Sequence, residues 1–101
     1  MNEKNLEQQI TERQFRQQVL DLAQILGWRA YFTWASVHSP AGFPDLVLVR
    51  LSRLLMVELK SEKGKLTETQ KEWLESLEAT GKVEVYVWKP CDWDALVEIL
   101  R

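Results

Sequence analysis

Three charged residues stand in or beside apolar runs that are expected to form buried strands. Asp45 begins a run of Leu and Val residues, and Glu58 and Lys60 stand in a second apolar run. Burial of an isolated carboxylate or ammonium group is costly unless the group is paired, hydrogen-bonded or bound to a metal. Because residues two apart in a strand project from the same face, Glu58 and Lys60 are expected to point together. Two carboxylates and an amine so arranged suit the binding of a divalent cation and a water molecule.

The length and composition are those of an ordinary globular protein. The chain has 101 residues, of which 46% are hydrophobic and 28% are charged, so we expect a single domain over 1–101, with the polar segment 1–10 as a candidate for fraying. No apolar run approaches the roughly 20 residues of a membrane span, and no signal peptide is recognised. Cys91 is the one cysteine and can form no intramolecular disulfide. We therefore predict a cytoplasmic protein without a membrane partner.

The hydrophobic periodicity predicts an α/β fold with a mixed β-sheet flanked by helices, in the order α-β-β-β-α-β-α. A short basic segment separates the second and third strands, which are expected to form an antiparallel hairpin. Thr67 and Gln70 fit a capping box at the start of the second helix, and Asp92 is expected to cap the last helix. The predicted ranges, in chain order, are 11–27, 29–36, 46–49, 54–60, 67–81, 83–88 and 92–100.

The charged residues match a known motif. Gly42-Phe43-Pro44-Asp45 followed by Glu58-Leu59-Lys60 is similar to the pattern PD-(D/E)xK, and a segment from Gly64 to Gln70 follows with the expected spacing. Each motif alone is short, but together and on the expected elements they are specific. From about Thr11 to its end the chain resembles the PD-(D/E)xK nuclease superfamily, and within it the virus-type replication-repair nuclease (VRR-NUC) domain. The resemblance implies a restriction-endonuclease-like fold.

The resemblance also implies a metal-dependent DNA nuclease with specific residue roles. Asp45 and Glu58 would ligate Mg²⁺ or Mn²⁺ together with the backbone carbonyl of Leu59, and Lys60 would orient or activate the attacking water. The chemistry agrees, because a phosphodiester is anionic and resists attack. A divalent cation with hard oxygen ligands neutralises charge and lowers the pKa of bound water.

Two further residues are assigned through the resemblance. Family members place a glutamine on the helix after the motif and a glutamate on the first helix, and these map to Gln70 in the catalytic centre and to Glu12 as an additional metal ligand. Gln70 also fits the capping box, and the two roles are compatible. Glu12 equally fits an acidic residue in a helix first turn, where it is favourable to the helix dipole.

The charge distribution leaves the mode of nucleic-acid binding open. A net charge of -2 argues mildly against a general DNA binder. Basic residues lie nearer the motif than most acidic ones do, among them Arg50 and Arg53. Lys63, Lys65 and His38 are the candidate contacts to nucleic acid. The negative net charge is also compatible with an accessory protein partner.

The resemblance implies a preference for branched DNA, with the Holliday junction as the leading candidate. Two symmetric cuts in a junction require two active sites related by a twofold axis, which predicts a homodimer or a higher even oligomer. A flap, nicking or linear-duplex endonuclease is the alternative among enzymes. A catalytically silent nucleic-acid-binding module on the same fold is the alternative of another class.

Other functions fit the sequence less well. A serine hydrolase built from His38, Asp45 and Ser36 or Ser39 would lack a nucleophile elbow and an oxyanion loop. A zinc site is disfavoured by one cysteine and one histidine. We interpret the aromatic residues of the 29–36 strand and the later tryptophans, Trp73, Trp88 and Trp93, as core residues rather than as platforms for base stacking.

Overall fold

The structure is a computed structural model that describes residues 10–33 and 38–101. It confirms the predicted fold class and the order α-β-β-β-α-β-α, with one additional 3₁₀ turn at Pro90–Asp92. In the described part of the chain, no helix combines the length and apolar character needed to cross a membrane. The elements are α1 (Glu12–Ile25), β1 (Arg29–Phe32), β2 (Leu46–Arg50), β3 (Arg53–Leu59), α2 (Glu68–Ala79), β4 (Glu84–Trp88) and α3 (Trp93–Leu100).

The four strands form one mixed sheet in the order β1-β2-β3-β4. β1 and β3 both pair antiparallel with β2, and β4 pairs parallel with β3 after the crossover through α2. The predicted hairpin is therefore confirmed, with Leu51 and Ser52 as its turn and Leu51 at a φ of 54°.

The two faces of the sheet have different partners. Alternate residues of β2 and β3 are fully buried against α1 and α3, which together enclose the hydrophobic core. α2 lies on the opposite face, where Gln70 at its first turn reaches Glu58 of β3. Because α2 leaves much of β1 uncovered, Tyr31 on that face is 66% exposed. The buried core residues of the sheet are Leu46, Leu48, Leu55, Val57, Leu59 and Trp88.

Helices α1 and α2 begin in the same way, with a Thr-x-x-Gln capping box. Thr11 and Gln14 form the box of α1, and Thr67 and Gln70 form the predicted box of α2. The predicted capping hydrogen bond of α3 was wrong. Asp92 stands at the N-cap position, but its side chain makes no capping hydrogen bond. Its carboxylate accepts instead from the backbone N–H of Lys89 at 2.9 Å and so closes the 3₁₀ turn.

Two sequence expectations need correction or lie outside the described residues. The first strand ends at Phe32, whereas the predicted strand reached residue 36; residues 34–37, with the candidate Ser36, lie outside the described part. The fraying expected for 1–10 likewise concerns residues of which only Ile10 is described.

Arg50 and Arg53 do not belong to the candidate nucleic-acid surface. They lie at the hairpin end of β2 and β3, and both guanidinium groups lie over the ring of Trp28. Arg50 donates to the carbonyl of Leu100 at 2.8 Å, and Arg53 forms an ion pair with Glu84 at 2.7 Å. These arginines therefore hold α3 and β4 to the hairpin, and placing them near the motif was wrong.

Candidate active site

The two motif carboxylates face each other across β2 and β3. The register pairs Leu46 with Val57, and its extension by one residue before β2 places Asp45 opposite Glu58. The side chain of Asp45 is fixed by its neighbour strand, because its Oδ2 accepts from the backbone N–H of Leu59 at 3.1 Å. Proline at position 44 is buried and precedes this residue at the end of the loop. The Pro-Asp pair therefore delivers one carboxylate beside another.

Glu58 is the buried centre of this group. It is 1% exposed, whereas acidic residues are almost never fully buried without partners. Its Oε1 accepts from Nε2 of Gln70 at 3.1 Å and lies 3.9 Å from Nζ of Lys60. Its Oε2 is buried without a hydrogen-bond partner among the described residues. An unsatisfied buried carboxylate oxygen is costly and calls for a proton or a cation.

The environment raises the pKa of Glu58 to about 8. Burial in the protein is the largest cause, followed by the neighbouring carboxylate of Asp45. The positive charge of Lys60 acts in the opposite direction, and the charge of Glu12 adds to the rise. Two carboxylates side by side cannot both ionise cheaply, so without a bound cation the pair holds a proton at neutral pH.

Lys60 is held in the same group through its backbone and its strand face. Its N–H donates to the carbonyl of Trp88 at 3.0 Å, which continues the β3–β4 pairing past the end of the strand. Its side chain is only 13% exposed and lies on the side of Glu58, as alternation predicted. The fully buried Leu59 between them points into the core. The amine is therefore positioned beside the carboxylates rather than free in solvent.

The loop that carries Asp45 packs closely on the start of α2. Gly42 has a φ of +95°, and a Cβ at this position would lie 2.6 Å from Cγ2 of Thr69 and 2.8 Å from its backbone carbonyl carbon. The ring of Phe43 meets the ring of Trp73 edge to face, with centroids 5.1 Å apart. These contacts fix the loop, and hence Asp45, relative to the helix that carries Gln70. This contact is not predictable from the sequence, because only the three-dimensional packing brings Gly42 to Thr69.

The structure brings together four of the predicted site residues, Asp45, Glu58, Lys60 and Gln70. Glu12 of α1 is close enough for its charge to act on Glu58. Within residues 10–33 and 38–101, however, no three His, Cys, Asp or Glu side chains are grouped closely enough to hold a metal ion. The remaining candidates, Lys63, Lys65 and His38, are exposed on the two loops that border the group.

A cavity of about 860 Å³ opens beside Asp45 and Gln70. Its walls include the aromatic side chains of Tyr31, Phe43 and Trp73. The interpretation of the aromatic residues as core holds for Trp88, which is 3% exposed, but it is wrong for Tyr31, which is 66% exposed. The position of Tyr31 on the face of the carboxylates follows from the strand register, which the sequence does not display.

Comparison with known proteins finds the same fold elsewhere. Three solved structures have folds similar to that of this chain. A VRR-NUC domain is 23% identical with a TM-score of 0.71, covering 88% of this chain and 97% of that one. A VRR-NUC domain protein is 21% identical with a TM-score of 0.69, covering 90% and 85%. Archaeoglobus fulgidus Hjc, a Holliday junction resolvase from an archaeal hyperthermophile, is 26% identical with a TM-score of 0.56, covering 72% and 62%.

A search of the curated proteins gave no significant match. The family model of the VRR-NUC domain, in contrast, matches residues 2–89, which is most of the chain and includes both motif segments. Because this match covers most of the chain, the chain belongs to the VRR-NUC domain family of nucleases.

Proposed function

We propose that this protein is a divalent-metal-dependent endonuclease that hydrolyses phosphodiester bonds in branched DNA. The observation that carries the proposal is the carboxylate of Glu58, buried beside Asp45 and Lys60 with one oxygen unsatisfied among the described residues. A structural core gains nothing from such a group, whereas a hydrolytic centre needs it. The family match supports nuclease chemistry.

The residues present fit a hard divalent cation. Asp45 and Glu58 supply anionic oxygens. The backbone carbonyl of Leu59, which follows Glu58 in the sequence, is the proposed third ligand. Oxygen donors in small number suit Mg²⁺ or Mn²⁺, which retain several water molecules. When bound, such an ion neutralises phosphate charge and makes its bound water more acidic. Glu12 is proposed to act on the ion from a greater distance, through its charge.

The chain's own residues have separate parts in this proposal. Lys60 holds the attacking water by hydrogen bonding and takes part in its proton transfer, because its Nζ lies beside Glu58. Gln70 orients the Glu58 carboxylate through its 3.1 Å hydrogen bond. The exposed Lys63, Lys65 and His38 are proposed to contact the phosphates on either side of the scissile bond.

The preference for branched DNA is proposed from the similarity to a Holliday junction resolvase. A chain with one carboxylate centre can cut a junction symmetrically only as a pair of subunits, so we propose a homodimer or a higher even oligomer. The net charge of -2 is unfavourable for DNA binding by charge alone. We therefore include an accessory protein among the proposed partners.

The test is a cleavage assay on a four-way junction, a flap and a linear duplex, each with Mg²⁺, Mn²⁺ or EDTA. Asp45→Ala and Lys60→Ala proteins are compared with Lys82→Ala, a matched control at an exposed lysine beyond the far end of α2. Paired cuts in the junction, lost with EDTA and in both site variants but retained in the control, are the expected result.

Other outcomes would correct the proposal in defined ways. Metal-dependent cleavage of the flap or the duplex alone would keep the nuclease and remove the junction preference. Absence of cleavage by folded protein under every condition would favour the catalytically silent nucleic-acid-binding module. A strictly monomeric protein at working concentration would remove the symmetric two-cut mechanism.

A further inference from the structure

An exposed aromatic side chain lies one step along the sheet from the carboxylates. The register places Tyr31 opposite Val47, and the backbone N–H of Thr33 donates to the carbonyl of Asp45. Residues paired across two strands have their side chains on the same face of the sheet, and so do residues two apart along one strand. Tyr31 therefore lies on the same face as Asp45, about 7 Å away along the strand. Tyr31 is 66% exposed there, although aromatic rings usually contribute buried area.

Two further aromatic side chains line the same cavity and contact each other. Phe43 is 40% exposed, and its ring is fixed edge to face against Trp73. Together with Asp45 and Gln70 these residues line the cavity of about 860 Å³, a size within the range of about 300–1,000 Å³ that is common for ligand sites. The cavity is therefore large enough for a planar ring system and opens directly onto the carboxylate of Asp45.

A positive charge continues the same surface. Arg29 is exposed on β1, two residues before Tyr31 and on the same face, opposite Val49. It lines a second, smaller cavity of about 410 Å³ that shares Tyr31 with the larger one. A ring to stack on, with a guanidinium group beside it, is the combination by which proteins bind single-stranded nucleic acid.

We propose that the aromatic cavity beside Asp45 receives an unpaired nucleobase of the DNA next to the scissile phosphate, with Tyr31 as its stacking platform. The proposal rests on the nuclease function proposed above and gives that function its substrate class, DNA with an unstacked nucleotide at the branch. A base inside continuous duplex remains stacked and would have to be extruded at a cost before it could enter. Branch points and flaps present such bases at little cost, and Arg29 would hold the adjacent phosphate.

The test measures base stacking directly and without cleavage. The probe is a forked duplex that carries 2-aminopurine at the unpaired position beside the branch, compared with the same sequence fully paired, both in Ca²⁺. Wild-type protein should quench the fluorescence of the fork probe. Tyr31→Ala should abolish the quenching and raise the Kd for the fork by about 5- to 150-fold, the range of one stacking contact, while the Kd for the paired duplex changes less than twofold.

Two variants serve as controls. Tyr31→Phe keeps the ring and should keep the quenching. Ile25→Ala removes another exposed apolar side chain, 79% exposed at the end of α1, and should change neither Kd. Because Tyr31 is largely exposed, its replacement is not expected to disturb the core, and thermal unfolding checks this.

Quenching that persists in Tyr31→Ala, or an equal loss of affinity for fork and duplex, would overturn the base-stacking proposal. A change of oligomeric state in Tyr31→Ala with quenching unchanged would also overturn it and assign the surface to contact between copies of the chain. Quenching by wild-type protein that fails to cleave any DNA with Mg²⁺ or Mn²⁺ would retain the stacking site and reject the nuclease function. The two proposals can therefore fail independently.

Discussion

The side-chain amide of Gln70 joins the start of helix α2 to the buried carboxylate of Glu58. Its Oε1 accepts from the backbone N–H of Thr67 at 2.9 Å, and its Nε2 donates to Oε1 of Glu58 at 3.1 Å. Both ends of one amide are used, so the capping role and the site role proposed from the sequence are compatible. The position of the helix and the orientation of the carboxylate are therefore coupled through a single side chain.

We expect Gln70→Ala to lose more stability than a simple cap removal. Loss of the cap costs up to about 1 kcal/mol. Loss of the donor leaves a buried carboxylate oxygen unsatisfied, at a further cost of about 1–3 kcal/mol. Cleavage should fall at least about tenfold, since each 1.4 kcal/mol lost at the transition state is a factor of ten. Chemical unfolding at pH 8 and steady-state cleavage measure both effects.

The matched control for this variant is Gln14→Ala. Gln14 closes the same Thr-x-x-Gln box at the start of α1 with the same 2.9 Å bond to its own cap residue, Thr11. It should lose only the capping free energy and retain cleavage. Equal losses of stability and activity in the two variants would show that Gln70 is a cap and nothing more.

The pKa of Glu58 predicts an unusual dependence of stability on pH in the metal-free protein. Its folded-state pKa of about 8 lies above the ordinary value of 4.5, so between these values the folded protein binds more protons than the unfolded chain. Rising pH therefore favours unfolding. The contribution of Glu58 to the free energy of unfolding is fully present below about pH 4.5. It is lost as the pH rises through 8, by an amount on the order of 4 kcal/mol.

Glu58→Gln separates this contribution from the rest of the titration. The amide fills the same volume without a charge, so the difference in free energy of unfolding between variant and wild type should grow in favour of the variant from pH 5 to pH 9 in EDTA. Urea unfolding at fixed temperature across that range measures it. A difference that is constant with pH would mean that Glu58 titrates alike in the folded and unfolded states.

A cation that binds at Asp45 and Glu58 should displace the proton held there. At pH 7, one unit below the pKa of about 8, uptake of Mg²⁺ or Mn²⁺ is expected to release close to one proton per ion, and the release should vanish near pH 10. Calorimetry in two buffers of different ionisation enthalpy counts the protons. Glu58→Gln should bind at least about tenfold more weakly and release none, whereas Glu72→Gln, at an exposed position of α2, should match wild type. Binding without proton release at pH 7 would place the ion elsewhere.

Local patterns in the sequence were sufficient to predict most of the fold. The hairpin of β2 and β3 follows from two apolar runs separated by a short polar segment, and the box at Thr67 follows from spacing alone. The same reasoning was wrong for the cap at Asp92. The carboxylate of Asp92 accepts instead from the N–H of Lys89, within the 3₁₀ turn at Pro90–Asp92.

The residues of the candidate site were likewise predictable only in part. Asp45, Glu58 and Lys60 were predictable because charges in apolar runs demand a partner. The roles of Tyr31 and Arg50 were not, since each depends on contacts between elements that are distant in the sequence. Tyr31 lies near Asp45 because β1 pairs with β2, and Arg50, at the other end of β2, donates to the carbonyl of Leu100. Register is a tertiary property, and only the assembled sheet reveals it.

The backbone conformation of Gly42 affects the position of Asp45 in the site. Gly42→Ala places a methyl group 2.6–2.9 Å from atoms of Thr69, including its backbone, at a φ of +95°. We expect a loss of about 2–4 kcal/mol from the left-handed conformation and the overlap together. Cleavage at a temperature where the variant is folded should fall at least tenfold, because relief of the overlap moves Asp45 away from Gln70.

Gly81→Ala tests whether the overlap, rather than the backbone conformation, is responsible. Gly81 also has a positive φ, +66°, but a Cβ there would meet no atom within 4 Å. It should cost only the conformational part, about 1–2 kcal/mol, and leave cleavage within twofold of wild type. If Gly42→Ala and Gly81→Ala cost the same and both cleave normally, then the close packing of the Gly42 loop on α2 does not position Asp45. Thermal unfolding and cleavage measured in parallel on both variants decide the question.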